Sequence, residues 1–257
     1  MTDRRIVLEG CHNCRDLGGY ETADGRRVRW GELYRSSDLY ALTDDDVSRI
    51  DELGIATVFD LRSPEEAIAR PSRLPAGPAI EQRHAPSTRA RPFETLEDMI
   101  VADTLPTPDT NEVTAVYVGQ LQSGLVDEFR RMVELAADAT ARPLLFHCAA
   151  GKDRTGLGAG LLLGALGVPR ATIVADYDLT TQYLMPPRMR ELRPLLDEHG
   201  VADDVVAPFL MARTEVFERT LDVVEQRWGG FPEYAIAHLG VTPALIASLR
   251  EQLLEPA

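Results

Sequence analysis

The sequence predicts an α/β fold on three observations. Two short apolar runs, 55–61 and 143–148, have the β-branched and aromatic make-up of buried strands. The second leads through a tight loop into 155–168, which is apolar on almost every face, the pattern of a helix buried all round. Beyond about residue 170 the chain reads as helices separated by Pro and Gly.

Taken in order, the stretch to about Tyr40 is rich in Gly and Arg and predicts loops with short strands. Thr43 followed by Asp46 has the form of a capping box, opening a helix that runs through Leu53 and stops at Gly54. After the 55–61 strand, Pro64-Glu65-Glu66 starts a short helix or turn. Residues 71–112 hold seven prolines and few apolar positions, which predicts a long irregular connection. A small amphipathic helix around Phe93, Leu96, Met99 and Ile100 lies within it, and 90–112 is the expected lid. The spacing of Val116, Leu121, Leu125, Phe129, Met132, Val133 and Ala136 predicts one helix over 116–137. Further helices are expected near 171–184, 187–198, 203–227 and 242–254, the last opened by Thr242-Pro243. The small residues of 155–168 suggest close approach to the sheet. No linker interrupts the pattern, so 1–257 is read as one domain with a helical C-terminal part, about 187–257.

Composition narrows the function. With 257 residues, 44% of them hydrophobic, the chain has ample material for a core, and no apolar run nears the roughly 20 residues of a membrane span. The N-terminus lacks the apolar segment of a secretory signal, and three cysteines make no disulfide framework, so a cytoplasmic protein with reduced thiols is expected. A net charge of -14 speaks against nucleic acid as a partner and against a polybasic membrane anchor. An anion site on such a chain must be local. Of the 27 basic residues, Lys152 is the only lysine, and it falls inside the loop after 143–148, where a compact ammonium differs from a planar guanidinium.

That loop carries the chemistry. In His147-Cys148-Ala149-Ala150-Gly151-Lys152-Asp153-Arg154-Thr155, strand, loop and helix follow in the order that lets backbone N–H groups converge on a tetrahedral anion. Cys148 is placed among amides, a helix N-terminus, Lys152 and Arg154, surroundings that favour thiolate over thiol. A thiolate there attacks phosphorus and forms a phosphocysteine. Arg154, six positions on, folds back to grip two phosphate oxygens with its planar fork. Ala149, Ala150, Gly151, Lys152, Asp153 and Thr155 complete the cradle, Gly151 by its backbone freedom, while His147 orders the Cys148 backbone. A Walker A loop is excluded, because Phe146 stands where that motif needs Gly. Two other readings stay open: a different thiol enzyme such as an arsenate reductase or sulfurtransferase, and an inactive phosphate-binding module.

HCAAGKDRTG resembles the signature loop of the bacterial cysteine-dependent tyrosine and dual-specificity phosphatases. Asn13-Cys14-Arg15-Asp16-Leu17-Gly18-Gly19, Leu33-Tyr34-Arg35-Ser36-Ser37, Phe59-Asp60-Leu61-Arg62-Ser63 and Ala175-Asp176-Tyr177 extend the resemblance over nearly the whole chain. It implies a central, mostly parallel sheet flanked by helices, no metal and no cofactor. It also implies a phosphorylated protein or a phosphoinositide as substrate, with the Lys152 charge at the loop mouth suiting a second phosphate.

The leaving group needs a proton. Asp60 is the expected donor: it ends a strand placed beside 143–148, and the resemblance supports it. The competing reading pairs Asp60 with Arg62 or Arg15. Relatives often carry the acid as an Asp after a Pro on a later loop, but His84-Ala85-Pro86-Ser87-Thr88-Arg89 offers no carboxylate, which leaves Glu94, Glu97, Asp98 or Asp153 as alternatives. Cys11-x-x-Cys14 has no second pair and reads as structural. The 13–19 element is expected to form a turn, with Arg15 or Asp16 bracing the loop.

Overall fold

The computed structural model describes residues 3–75, 81–84, 94–107 and 109–257. Seven strands occur among them: β1 Arg15–Asp16, β2 Arg26–Val28, β3 Leu33–Ser36, β4 Thr57–Asp60, β5 Glu81–His84, β6 Leu144–His147 and β7 Leu254–Pro256. Five form one sheet in the order β1-β3-β6-β4-β5, parallel throughout except for β1. β6, which leads into the anion loop, lies at its centre, with Ser36 of β3 on one side of His147 and Asp60 of β4 on the other. The expected mostly parallel α/β sheet is the one observed.

Alternation along the strands divides the interior. Leu33, Phe59, Leu144 and Phe146 join the larger core with the Val126–Ala137, Asp153–Leu166 and Thr214–Trp228 helices. Their neighbours Tyr34, Val58 and Leu145 enter a second cluster with Leu39, Leu42, Ile50, Cys11 and Cys14. Side chains two apart share a face, so one strand feeds two cores. Both Cys11 and Cys14 are apolar filler of the second core, the structural reading expected for them.

Local signals placed the capped helices well. Thr43 and Asp46 form the capping box of Asp44–Glu52, and Gly54 turns the chain at φ +64°. Ser63 and Glu66 form a second box that opens Pro64–Ala69. The Asp153–Leu166 helix is buried on nearly every side, but its small residues admit aromatic rings rather than the sheet: a Cβ at Gly156 would come within 2.8 Å of the Tyr177 ring.

Three expectations about helices change. The 116–137 helix divides into Thr110–Gly119 and Val126–Ala137 across a wide turn at Gln120–Gly124, whose Leu121 and following Leu125 both fill the main core. The 203–227 helix breaks at 211–213, because Asp203–Leu210 and Thr214–Trp228 pack into different cores. A further helix, Phe231–Ala237, starts from Gly230 with Pro in its first turn.

The helix within the segment expected to be a lid is shorter than that segment. Leu96–Val101 packs through Ile100 on Met189, Leu192, Leu196, Val206 and Leu210, a third core outside the sheet. Phe93 and the Pro86 loop lie outside the described residues. The 110–112 end of the segment belongs instead to Thr110–Gly119, whose Tyr117 enters the main core. Among the described residues no helix is long and apolar enough to cross a membrane.

Candidate active site

Cys148 leaves β6 almost fully buried, 3% exposed. His147 donates from Nδ1 to the Cys148 carbonyl at 3.1 Å, and the Asp38 amide donates to the Ala149 carbonyl at 2.9 Å. Gly151 turns at φ +63°, and a Cβ there would sit 2.3 Å from the Ser36 carbonyl oxygen. Its own carbonyl accepts from Asn13 Nδ2 and from Arg35 Nη2, each at 2.8 Å. The loop is therefore clamped from the β3 side and by the turn that precedes β1.

A buried layer lies beneath it. Arg15 Nε and Arg35 Nη1 hold the two oxygens of Asp176 at 2.9 and 2.7 Å, and Tyr20 adds a hydroxyl at 2.9 Å. Burial alone would raise the Asp176 carboxyl, but Arg15 and Arg35 outweigh it and hold it well below the usual range. Burial, with Arg15 beside it, lowers Arg35 to about 10. The residues singled out around Arg15, Arg35 and Asp176 in the sequence thus meet in one charged cluster. Asp16 has a separate task, accepting from Gly18 and Gly31 amides at 2.7 Å each and closing the turn.

Arg154 begins the helix side of the loop. Its Nη1 and Nη2 donate to Glu66 Oε2 and Oε1, both at 2.7 Å, and Nη1 also reaches the Leu61 carbonyl at 2.9 Å. Burial works against the guanidinium charge, yet the Glu66 bonds prevail and keep it charged. Asp153 accepts from the Tyr117 hydroxyl, which also meets the Tyr177 hydroxyl at 2.9 Å. Thr155 Oγ1 is buried with no hydrogen-bond partner among the described residues. Lys152, expected at the loop mouth, is buried, its ammonium 3.6 Å from Asp153.

Asp60 does not occupy the place expected of a proton donor. It is fully buried, 0% exposed, and lies outside the pocket wall. Arg62 donates to it from Nε at 2.9 Å and from Nη2 at 2.7 Å, and His147 lies 3.8 Å away. Burial would raise its carboxyl, but His147 and Arg62 lower it instead, so it stays ionised. The Arg62 pairing weighed as its competing role is what the geometry contains.

Above the loop opens a pocket of about 490 Å³. Ala149, Ala150, Asp153 and Arg154 of the loop line it, together with Leu96 and Met99 of the Leu96–Val101 helix. Glu97 ties that helix to Arg188 at 2.7 Å and approaches Arg70 at 3.7 Å. His12 and Glu191 meet at 2.5 Å on the same wall. The sequence reading placed none of Asp38, Glu66, Arg70, Arg188 or Glu191 at the site. Only Glu66 had a local signal, the Ser63-x-x-Glu66 capping box.

Comparison with known proteins places the chain among phosphatases. A Cupriavidus necator protein whose name places it among the tyrosine-protein phosphatases is 33% identical over 89% of this chain and 82% of its own. The triple specificity protein phosphatase PtpB of Mycobacterium tuberculosis is 28% identical over 96% of this chain and 98% of its own. Among solved structures, the Siw14 catalytic core overlaps 88% of this chain and 97% of its own at 12% identity and a TM-score of 0.29, too slight a likeness to bear on the fold. The tyrosine phosphatase family profile matches residues 6–255, and the chain belongs to that family of phosphatases.

Proposed function

We propose that the protein hydrolyses phosphomonoesters in two displacements through Cys148, with a breadth that extends from phosphotyrosine to phosphoserine, phosphothreonine and phosphoinositides. The observation that carries the mechanism is Arg154, held rigid by Glu66 on the pocket floor, six residues from a cysteine buried at the start of a clamped loop. A guanidinium fixed in advance loses little freedom on gripping phosphate and stabilises the charge that spreads over its oxygens during transfer.

The steps follow from the residues. Loop amides and Arg154 bind the phosphate with the phosphorus in line with Cys148 Sγ. The thiolate forms the S–P bond as the ester P–O bond breaks. Water then splits the phosphocysteine, releasing phosphate and restoring the thiolate. Asp60 acts here as a positioning residue that holds Arg62 and His147 beneath the loop.

Breadth is supported by a pocket of about 490 Å³ walled by both carboxylates and guanidinium groups, and by the triple specificity in the name of the mycobacterial relative. Hydrolysis of p-nitrophenyl phosphate by the wild type with a stoichiometric burst, and none by Cys148→Ser, tests the chemistry. Release of phosphate from phosphotyrosine, phosphoserine and phosphothreonine peptides and from phosphoinositide vesicles tests the breadth; activity on phosphotyrosine alone refutes it.

A further inference from the structure

Asp38 is the one carboxylate of the pocket wall that is buried and makes no side-chain hydrogen bond among the described residues. Its companions are engaged or exposed. Glu66 holds Arg154, Glu97 holds Arg188, Glu191 joins His12 and Arg188, Asp153 accepts from Tyr117, and Glu94 is exposed.

Its place in the sheet is specific. β3 and β6 run parallel with Ser36 opposite His147, and the amide of Asp38 continues that pairing by donating to Ala149 O at 2.9 Å. Asp38 therefore stands one strand spacing, about 4.8 Å, from the residue that follows the nucleophile. Asp60 flanks the same strand from the other side, but its side chain is sequestered by Arg62.

The groups facing Asp38 come from several elements. Arg62, beyond β4, has Nη1 4.0 Å from its carboxylate. Arg70 ends the Pro64–Ala69 helix and Arg188 belongs to Met185–His199, both drawing the carboxyl down, while Asp60 pushes it up. The same pocket wall carries Arg154, Glu66, Asp153, His12, Glu97 and Glu191. Burial outweighs the three arginines and pushes the Asp38 carboxyl up to about 6. A bound phosphate dianion adds negative charge nearby and raises it further, so the acid is protonated when sulfur attacks.

We propose that Asp38 is the general acid of the reaction, a role that rests on the two-displacement reading above. As the Cys148 Sγ–P bond forms and the P–O bond breaks, Asp38 gives its proton to the departing oxygen, which leaves as the alcohol or phenol. The resulting carboxylate then takes one proton from the water whose oxygen attacks the phosphocysteine. Phosphate leaves, the thiolate is restored and Asp38 is again protonated.

The test compares Asp38→Asn with wild type on phenyl phosphate, whose leaving group needs a proton, and on 2,4-dinitrophenyl phosphate, whose leaving group does not. The expected result is a fall in kcat/KM of about 10²-fold or more on the first and only a few-fold on the second. Wild-type kcat/KM on phenyl phosphate falls above about pH 6, and Asp38→Asn lacks that limb. Equal losses on both substrates, or a retained limb, overturn the assignment. Inorganic phosphate raising the melting temperature of Asp38→Asn shows that the fold and loop persist; if that variant does not fold, Asp38→Ser is read in the same way. Dinitrophenyl phosphate reports on Cys148 separately: its hydrolysis by Cys148→Ser overturns the phosphocysteine reading, whatever Asp38 does.

Discussion

Glu66 Oε2 accepts both the Ser63 amide and Arg154 Nη1, each at 2.7 Å. One oxygen thus caps a helix and fixes the phosphate-gripping guanidinium, so the start of Pro64–Ala69 and the anion loop are mechanically joined. Glu66→Gln keeps the shape but presents an amide group to Arg154 and removes its countercharge. We expect kcat/KM to fall by about 10²-fold on activated and poor leaving groups alike, as misplacement of a catalytic group does. Steady-state kinetics on the two aryl phosphates check this, and a loss confined to one of them counts against a positioning role.

Asp60→Asn should behave unlike Asp38→Asn. Removing the charge leaves Arg62 buried without its main partner, at a cost on the order of 3 kcal/mol. Turnover should drop by the same factor on phenyl and dinitrophenyl phosphates, with the pH limb above 6 intact. Urea unfolding together with the two-substrate comparison decides it.

Asp176 makes the acid side of stability predictable. Its folded carboxyl is held below the ordinary aspartate value of about 3.8, so its contribution is present above that value and is lost as pH falls through the folded one. Asp176→Asn leaves Arg15 and Arg35 without a buried countercharge and should cost about 3–5 kcal/mol at neutral pH. The cost should shrink as pH drops below about 4, where the unfolded chain takes up the proton that the folded carboxylate still refuses. Urea midpoints across pH 3 to 7 measure both features.

Asp38 has the opposite sign. Its folded carboxyl is raised to about 6, so it stabilises the fold only at low pH, and that contribution disappears as pH rises through 6. Asp38→Asn should therefore gain on wild type between pH 4 and 8, by up to about 3 kcal/mol. Melting temperatures of the two proteins should diverge with rising pH. Parallel curves would mean that Asp38 does not titrate in the fold.

The parts legible in the sequence are those whose partners lie close along the chain. Thr43 with Asp46, Ser63 with Glu66 and the turn at Gly54 are contacts over a few residues. The anion loop is of the same kind: strand end, cysteine, glycine, arginine and helix start follow within nine residues, 147–155. Helix boundaries after residue 200 were less legible, because the break at 211–213 comes from two helices joining different cores.

By itself the sequence determined the α/β class, the place of the loop, and Cys148 and Arg154 as the two ends to which the proposed attack and grip are assigned, because backbone geometry and side-chain chemistry act there at short range. Tertiary structure alone decided the surroundings of each carboxylate. Asp38, Asp60 and Glu66 all lie at or just beyond strand ends beside one loop, and Glu66 meets Arg154 across 88 positions. Their protonation depends on burial and on which arginine is within reach. Arg62 closes around Asp60, Arg154 around Glu66, and Asp38 stays buried with its nearest guanidinium contact at 4.0 Å.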